Sequence, residues 1–356
     1  MLSGFLIKVL KDFCFKYNIL HRPRKRDVGR KPLPRLAGIG IFLSFMVVSL
    51  VYFLFIHKGL QFSRASLYGL DRHLLGIWIG GTVVTLSMVV DDLIGLKAWQ
   101  KILIQIFAAL IVIASGIGIN TISNPFGVSL NLNSIYIPIL KVNGIVYHFS
   151  LLSDILTLVW VVGMMNVINF VDGVDGLAGG LSFIAAMTLF FLSRSIGVSQ
   201  DATALMSVIL AGSVLGFLFW NFPPAKIFMG DSGSMFLGFI LGVLPLISGG
   251  KLATVFLVLG FPIVDGFFVA SSRLIRGSNP FTTPDKTHLH HRFLKAGFSQ
   301  RQAILSLYLI AIAFGWVALR STTELKLAAS LVLVLALIVI ILILKYLEKR
   351  KHNYGI

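Results

Sequence analysis

The chain has 356 residues, 56% hydrophobic and 13% charged, with a mean hydropathy of +0.90. A soluble domain carries about 25% charged residues, so a soluble enzyme, a disordered chain and a coiled coil are excluded, and the lone Cys14 excludes a disulfide scaffold. The net charge of +17 is what basic loops beside anionic lipid headgroups produce, so membrane lipids are expected as partners and nucleic acid is not.

The expected fold class is an all-α integral membrane protein forming one polytopic domain over residues 1–356. Residues 1–17 place Leu2, Phe5, Leu6, Val9, Leu10 and Phe13 on one helical face, with Lys8, Lys11, Asp12 and Lys16 interrupting the rest. That pattern suits a helix lying in the interface, the preferred reading, or a partial first span. Ten apolar segments then approach the ~20 residues a span needs: 37–56, 73–91, 102–119, 151–171, 178–196, 203–221, 234–249, 252–272, 303–319 and 326–345. The count becomes eleven if residues 1–17 also cross. Segment 120–150 alternates apolar and polar residues with turn signals, which predicts a short β-hairpin.

Lys and Arg set the orientation. Loop 21–36 holds Arg22, Arg24, Lys25, Arg26, Arg30, Lys31 and Arg35 and is placed in the cytoplasm. Alternation puts 92–101, 172–177, 222–233, 273–302 and the basic tail 346–356 on the same side, and these segments carry most of the cations. The acids Asp91, Asp92, Asp172, Asp175, Asp231 and Asp285 fall on that side too.

Adjacent Asp91 and Asp92 end an apolar run, where two carboxylates are costly unless a cation or acid–base chemistry uses them. Lys101 follows nine residues after Asp92, so a loop that folds back brings its ammonium to a phosphate. In "NVINFVDGVDGLAGG", Asn166 and Asn169 share a helix face and Asp172 and Asp175 follow at the same spacing, among glycines that admit a ligand close to the backbone. Amide and carboxylate oxygens suit a hard cation such as Mg²⁺. In "NFPPAKIFMGDSGS", Asp231 opens an apolar helix with Ser232 and Ser234 as candidate caps. A helix N-terminus near Lys226 is a natural phosphate site, with Asp231 holding the bridging metal. "PDKTHLHHRF" packs His288, His290, His291 and Arg292 together. No cysteine joins them and the nearby acids suit Mg²⁺, so contact with phosphates is preferred over zinc. Asp265 lies within an apolar span, as a functional acid or a partner of Arg273 or Arg276. Together these groups fit phosphoryl transfer at a membrane face.

These motifs resemble, in order and spacing, the polyprenyl-phosphate N-acetylhexosamine-1-phosphate transferases (glycosyltransferase family 4). The resemblance runs from about residue 17 to 310 and is closest to the bacterial undecaprenyl-phosphate GlcNAc-1-phosphate transferases that initiate teichoic acid or O-antigen synthesis. It implies a multi-pass enzyme of the bacterial plasma membrane, active at the cytoplasmic face, that transfers a sugar 1-phosphate from a UDP-sugar to undecaprenyl phosphate and releases UMP. It implies Mg²⁺, for which Mn²⁺ can substitute, and a homodimer. Carried over by position, Asp231 is the metal ligand with Asn169 close to the metal or pyrophosphate. Asp91 or Asp92 deprotonates or orients the lipid phosphate, and Lys101 contacts the pyrophosphate. Asp172 and Asp175 belong to the nucleotide pocket, Phe228 stacks on uracil, Asn221 is a further substrate-binding residue, and His288, His290, His291 and Arg292 grip the sugar-nucleotide. UDP-GlcNAc is the first-choice donor, with UDP-MurNAc-pentapeptide, UDP-GalNAc or a modified sugar as alternatives. In "KRDVGRKPLPR", Asp27 and Gly29 stand where many relatives have Lys and His, so a role for that His does not transfer. A CDP-alcohol phosphatidyltransferase lacks support because no Arg follows the Asp-Gly pair. A transporter would place its acids near the bilayer midplane.

Overall fold

A computed structural model describes residues 1–20, 32–56, 61–62, 66–67, 70–122, 124, 129–134, 136–142, 145–195, 200–247, 252–275 and 289–354. In chain order these form α1 (Leu2–Lys16), α2 (Ala37–Ile56), β1 (Ser66–Leu67), β2 (Leu70–Asp71), α3 (Arg72–Ile94), α4 (Ala98–Ala114), β3 (Thr121–Ile122), β4 (Leu130–Asn131), β5 (Tyr136–Val142) and β6 (Ile145–Ser150). The remainder is α5 (Leu151–Val171), α6 (Leu177–Arg194), α7 (Asp201–Asn221), α8 (Gly230–Ile247), α9 (Leu252–Val258), α10 (Gly260–Ile275), α11 (Leu289–Lys295), α12 (Gln300–Arg320) and α13 (Thr323–Tyr354). The chain is a predominantly helical multi-pass membrane protein.

Among the described residues, eight helices are long and apolar enough to cross a membrane. They correspond to eight of the ten expected segments. The third expected segment is the shorter apolar helix α4, of 17 residues. The eighth is two helices, α9 and α10, with the break beside Gly260. Pro262 has no N–H to offer Val258 four residues earlier, which interrupts the ladder there. The hairpin expected within 120–150 is present as antiparallel β5–β6, Tyr136 opposite Ser150 and Val142 opposite Ile145. A two-residue pairing of β3 with β4 precedes it.

The centre of the bundle is α8. Its spanning window is 94% buried within the protein, against 17% for α13 at the edge. Lipid tails are as apolar as leucine, so close association in a bilayer relies on small residues that let backbones touch. Gly238 supplies one such contact: a Cβ there would lie 2.5 Å from Met164 O on α5. Gly233 supplies another, against Gly38 at the start of α2. Phe236 and Phe239 are fully buried and pack against Gly81 and Gly80 of α3. The N-terminal helix α1 packs along α7 and α2: Ser3 Oγ donates to Ser213 O at 2.6 Å, and Trp220 Nε1 donates to Gly4 O at 3.0 Å.

Candidate active site

The end of α3, the start of α4 and the start of α8 converge at one end of the bundle. Gly95, with φ +77°, stops α3 and turns the chain. The Asp91 carboxylate accepts the Leu96 N–H at 2.7 Å inside this turn, and α4 runs back alongside α3. Lys101 therefore does return to the acids: its Nζ lies 2.6 Å from Asp91 Oδ2 and 2.6 Å from Asp231 Oδ2.

Asp92 points to α8. Its two oxygens accept from Asp231 N at 2.8 Å, Ser232 N at 3.0 Å and Ser232 Oγ at 2.7 Å. The expected caps of α8 were its own serines. The helix start is instead capped by a carboxylate 139 residues earlier in the chain. Ser234 bonds back to Gly230 O at 3.2 Å. Gly230, with φ +80°, is required here, because a Cβ would collide with Arg35 O and lie 2.5 Å from Asp92 Oδ2.

Arg35 completes the cluster, although it lies outside every chemical motif of the sequence. Its guanidinium bonds Asp231, and its Nε lies 3.5 Å from Asp92 Oδ1. The residue is held by extended pairing of segment 34–38 with the loop before α8: Phe228 N to Pro34 O at 2.8 Å, Ala37 N to Phe228 O at 3.2 Å and Gly38 N to Met229 O at 2.9 Å. Burial opposes the Arg35 charge, but Asp231, then Asp92 and Asp172, outweigh it and hold the cation more firmly than in water. The one sequence signal was an arginine at the mouth of the first long apolar run.

Oxygens of Asp91, Asp92 and Asp231 lie within 4.8 Å of one another. Among the described residues, three carboxylates thus face two cations, Arg35 and Lys101. An all-carboxylate donor set of this span fits a hard divalent cation. Asp172 closes α5 beside the cluster. Burial raises its carboxyl well above the ordinary range; Arg35 counteracts this, while Asp231, Asp92 and Asp175 add to it. A cavity of ≈ 380 Å³ opens next to the cluster, with Asn18, Arg35, Leu36 and Asp92 among its walls.

The other expected residues distribute around this centre. Asn169 Nδ2 donates to Ser234 Oγ at 2.9 Å, on the first turn of α8 beside Asp231. Asn166 instead pairs with Gln105 of α4 at 2.7 Å. Asp175 Oδ2 accepts from Ala225 N at 3.3 Å. Asn221 is buried and joins two loops, accepting from Gly176 N at 2.7 Å and donating to Ile227 O at 2.9 Å. Phe228 is half-buried in the loop that pairs with Pro34. Asp265 lies buried on α10 and accepts from Leu289 N at 2.9 Å, tying α10 to α11. Arg292 is half-buried on α11. His288 lies outside the described residues, as do Asp285, Asp27, Gly29 and the side chains of His290 and His291.

The fold and this cluster define a multi-pass membrane protein with a carboxylate centre at one end of its bundle, flanked by cations that suit phosphates. Residues 74–249 match the model of glycosyl transferase family 4. The chain is 31% identical to the "probable undecaprenyl-phosphate N-acetylglucosaminyl 1-phosphate transferase" of Bacillus subtilis (strain 168), over 88% of this chain and 81% of that protein. It is 32% identical to the decaprenyl-phosphate N-acetylglucosaminephosphotransferase of Mycolicibacterium smegmatis, over 88% of this chain and 79% of that one. It is 28% identical to the phospho-N-acetylmuramoyl-pentapeptide-transferase of Staphylococcus aureus (strain MSSA476), over 90% and 94%. The chain belongs to glycosyl transferase family 4. It is a transferase, and the transporter and CDP-alcohol readings fall.

Proposed function

We propose that the chain transfers GlcNAc 1-phosphate from UDP-GlcNAc to undecaprenyl phosphate, with Mg²⁺, at the cytoplasmic membrane face. The observation that carries this reading is the meeting of Asp91, Asp92 and Asp231 with Lys101 and Arg35 at one end of the bundle. The relatives' names supply the substrate class: two act on GlcNAc and one on a muramoyl-pentapeptide. UDP-MurNAc-pentapeptide is therefore the second donor to test.

An oxygen of the lipid phosphate attacks the β-phosphorus of the UDP-sugar. A new P–O bond forms, the α–β bridge breaks, and the electron pair leaves on UMP. Asp231 would hold the metal, with Asp91 beside it, and Asn169 reaches from α5 to Ser234 on the first turns of α8, close to Asp231. Bound Mg²⁺ supplies charge neutralisation between the two phosphates. Lys101 and Arg35 add fixed positive charge where negative charge builds up. Both Asp92 oxygens are engaged at the start of α8, so its part is to aim Asp231. Asp91 orients Lys101 and the incoming phosphate. A phosphate monoester already carries negative charge at neutral pH, its second pKa being about 6, so attack needs little help from a base and single displacement is favoured. The tests are UMP release with and without EDTA and the loss of that release in Asp231→Asn.

A further inference from the structure

At the opposite end of the bundle, α3 begins at Arg72, α4 ends at Ala114 and α5 begins at Leu151. These ends enclose a cavity of ≈ 150 Å³ lined by Arg72, Asn120, Asn133, Ser150 and Asp154. Three of its polar atoms are left over. Arg72 Nε, Asn133 Oδ1 and Ser150 Oγ are shielded from solvent and have no hydrogen-bond partner among the described residues. Ser150 is only 3% exposed. Buried polar groups are rarely left orphaned, and three on one cavity call for an occupant.

The cavity is also built around its cation. Gly116 takes φ +82°, and a Cβ there would lie 2.7 Å from both Cζ and Nη2 of Arg72. Any side chain at 116 would displace the guanidinium. Asp154 brings a carboxylate to the same cavity, and its Oδ2 accepts Ser150 N at 2.8 Å. A guanidinium together with acceptor oxygens fits a ligand that carries both a phosphate and a proton-donating amine. The depth fits a lipid. The cavity lies where the spanning helices α3 and α5 begin and the shorter apolar helix α4 ends, and Leu151, Leu152 and Ile155 around Asp154 are exposed apolar side chains. The volume is about that of a cavity that holds one six-carbon ring, which admits a headgroup and excludes a nucleotide.

We propose that this cavity binds the phosphoethanolamine headgroup of a membrane phospholipid, its phosphate on Arg72 and Ser150 and its ammonium on Asn133 and Asp154. The site is separate from the carboxylate centre and does not depend on the transfer reaction.

The test is native mass spectrometry of the full chain in detergent, titrated with phosphatidylethanolamine or with phosphatidylcholine, whose three methyl groups remove every N–H donor. One phosphatidylethanolamine should be retained per chain, with about tenfold preference, the size of one charge-assisted hydrogen bond. Soluble phosphoethanolamine should compete and phosphocholine should not. Arg72→Gln should cut retention about tenfold. Ser150→Ala removes a hydroxyl with no partner among the described residues, so its lipid-free melting temperature should match the parent while retention falls. Equal retention of the two lipids overturns the proposal. So does displacement by inorganic phosphate as effective as by phosphoethanolamine. Unchanged retention in both variants also overturns it and leaves a cavity filled by water alone.

Discussion

Replacing Asp92 with Asn tests whether this residue holds the active site together. The carboxylate accepts three hydrogen bonds at the start of α8 and faces Arg35. Asn keeps one acceptor oxygen, loses the charge and presents an NH₂ group to donors. Losing an N-cap costs about 0.5–2 kcal/mol, and each hydrogen bond to a charged group is worth about 1.5–3 kcal/mol. The three bonds share one carboxylate and do not add, so the expected loss is roughly 2–4 kcal/mol. At roughly 2–4 °C per kcal/mol for a large domain, the apparent melting temperature should fall by about 4–16 °C. The assay is thermal unfolding in detergent at a fixed scan rate. Ser232→Ala removes only the hydroxyl bond and should cost about 1 kcal/mol. An Asp92→Asn melting temperature within about 1 °C of the parent, with transfer activity lost, would refute the anchoring role and make Asp92 a direct participant in the chemistry.

The remaining predictions concern the other members of the site. Asp231→Asn should lower UMP release by about 100-fold or more, since an amide cannot neutralise the metal's charge; near-parent turnover would remove Asp231 as the ligand. Arg35→Ala should reduce turnover about 10–100-fold, and Arg35→Lys should recover part of it by restoring charge without the two-sided contact; equal turnover of the two variants would refute the pairing. Asn221→Ala leaves Gly176 N and Ile227 O without their partner and should destabilise by about 2–4 kcal/mol, read as a lowered melting temperature. For Asp172 the sign is set by its raised carboxyl. The folded protein keeps a proton that the unfolded chain releases above about pH 4. Asp172 therefore costs stability as pH rises from there toward its folded value, and the melting-temperature advantage of Asp172→Asn in EDTA should grow as pH rises above about 5. A constant difference across that range would show that Asp172 is not buried against its charge.

Much of the site could be read in the sequence because its chemistry is local. Asp91 with Asp92, Lys101 nine residues on, and Asp231 between glycines each stood out as costly in an apolar chain, and the structure brings all four together. The contacts that decide their individual parts are not local. Arg35 meets Asp231 across 196 positions, and Asp92 caps a helix 139 positions away. No periodicity or spacing encodes such pairs. Arg35 was hidden among loop cations that orientation alone accounts for, and Ser232 and Ser234 looked like sufficient caps for α8. Asn166 and Asn169 share a face in the sequence, yet Gln105 claims the first and Ser234 the second. The spans were legible from hydropathy, and the break between α9 and α10 was obscured because the apolar run continues across it.

UMP release from the purified chain in detergent, supplied with Mg²⁺, undecaprenyl phosphate and UDP-GlcNAc, decides whether the carboxylate centre performs this transfer. Release that needs the lipid, stops with EDTA and is lost in Asp231→Asn is the predicted result. No release with UDP-GlcNAc, UDP-MurNAc-pentapeptide or other UDP-sugars, from protein that melts cooperatively, would contradict it.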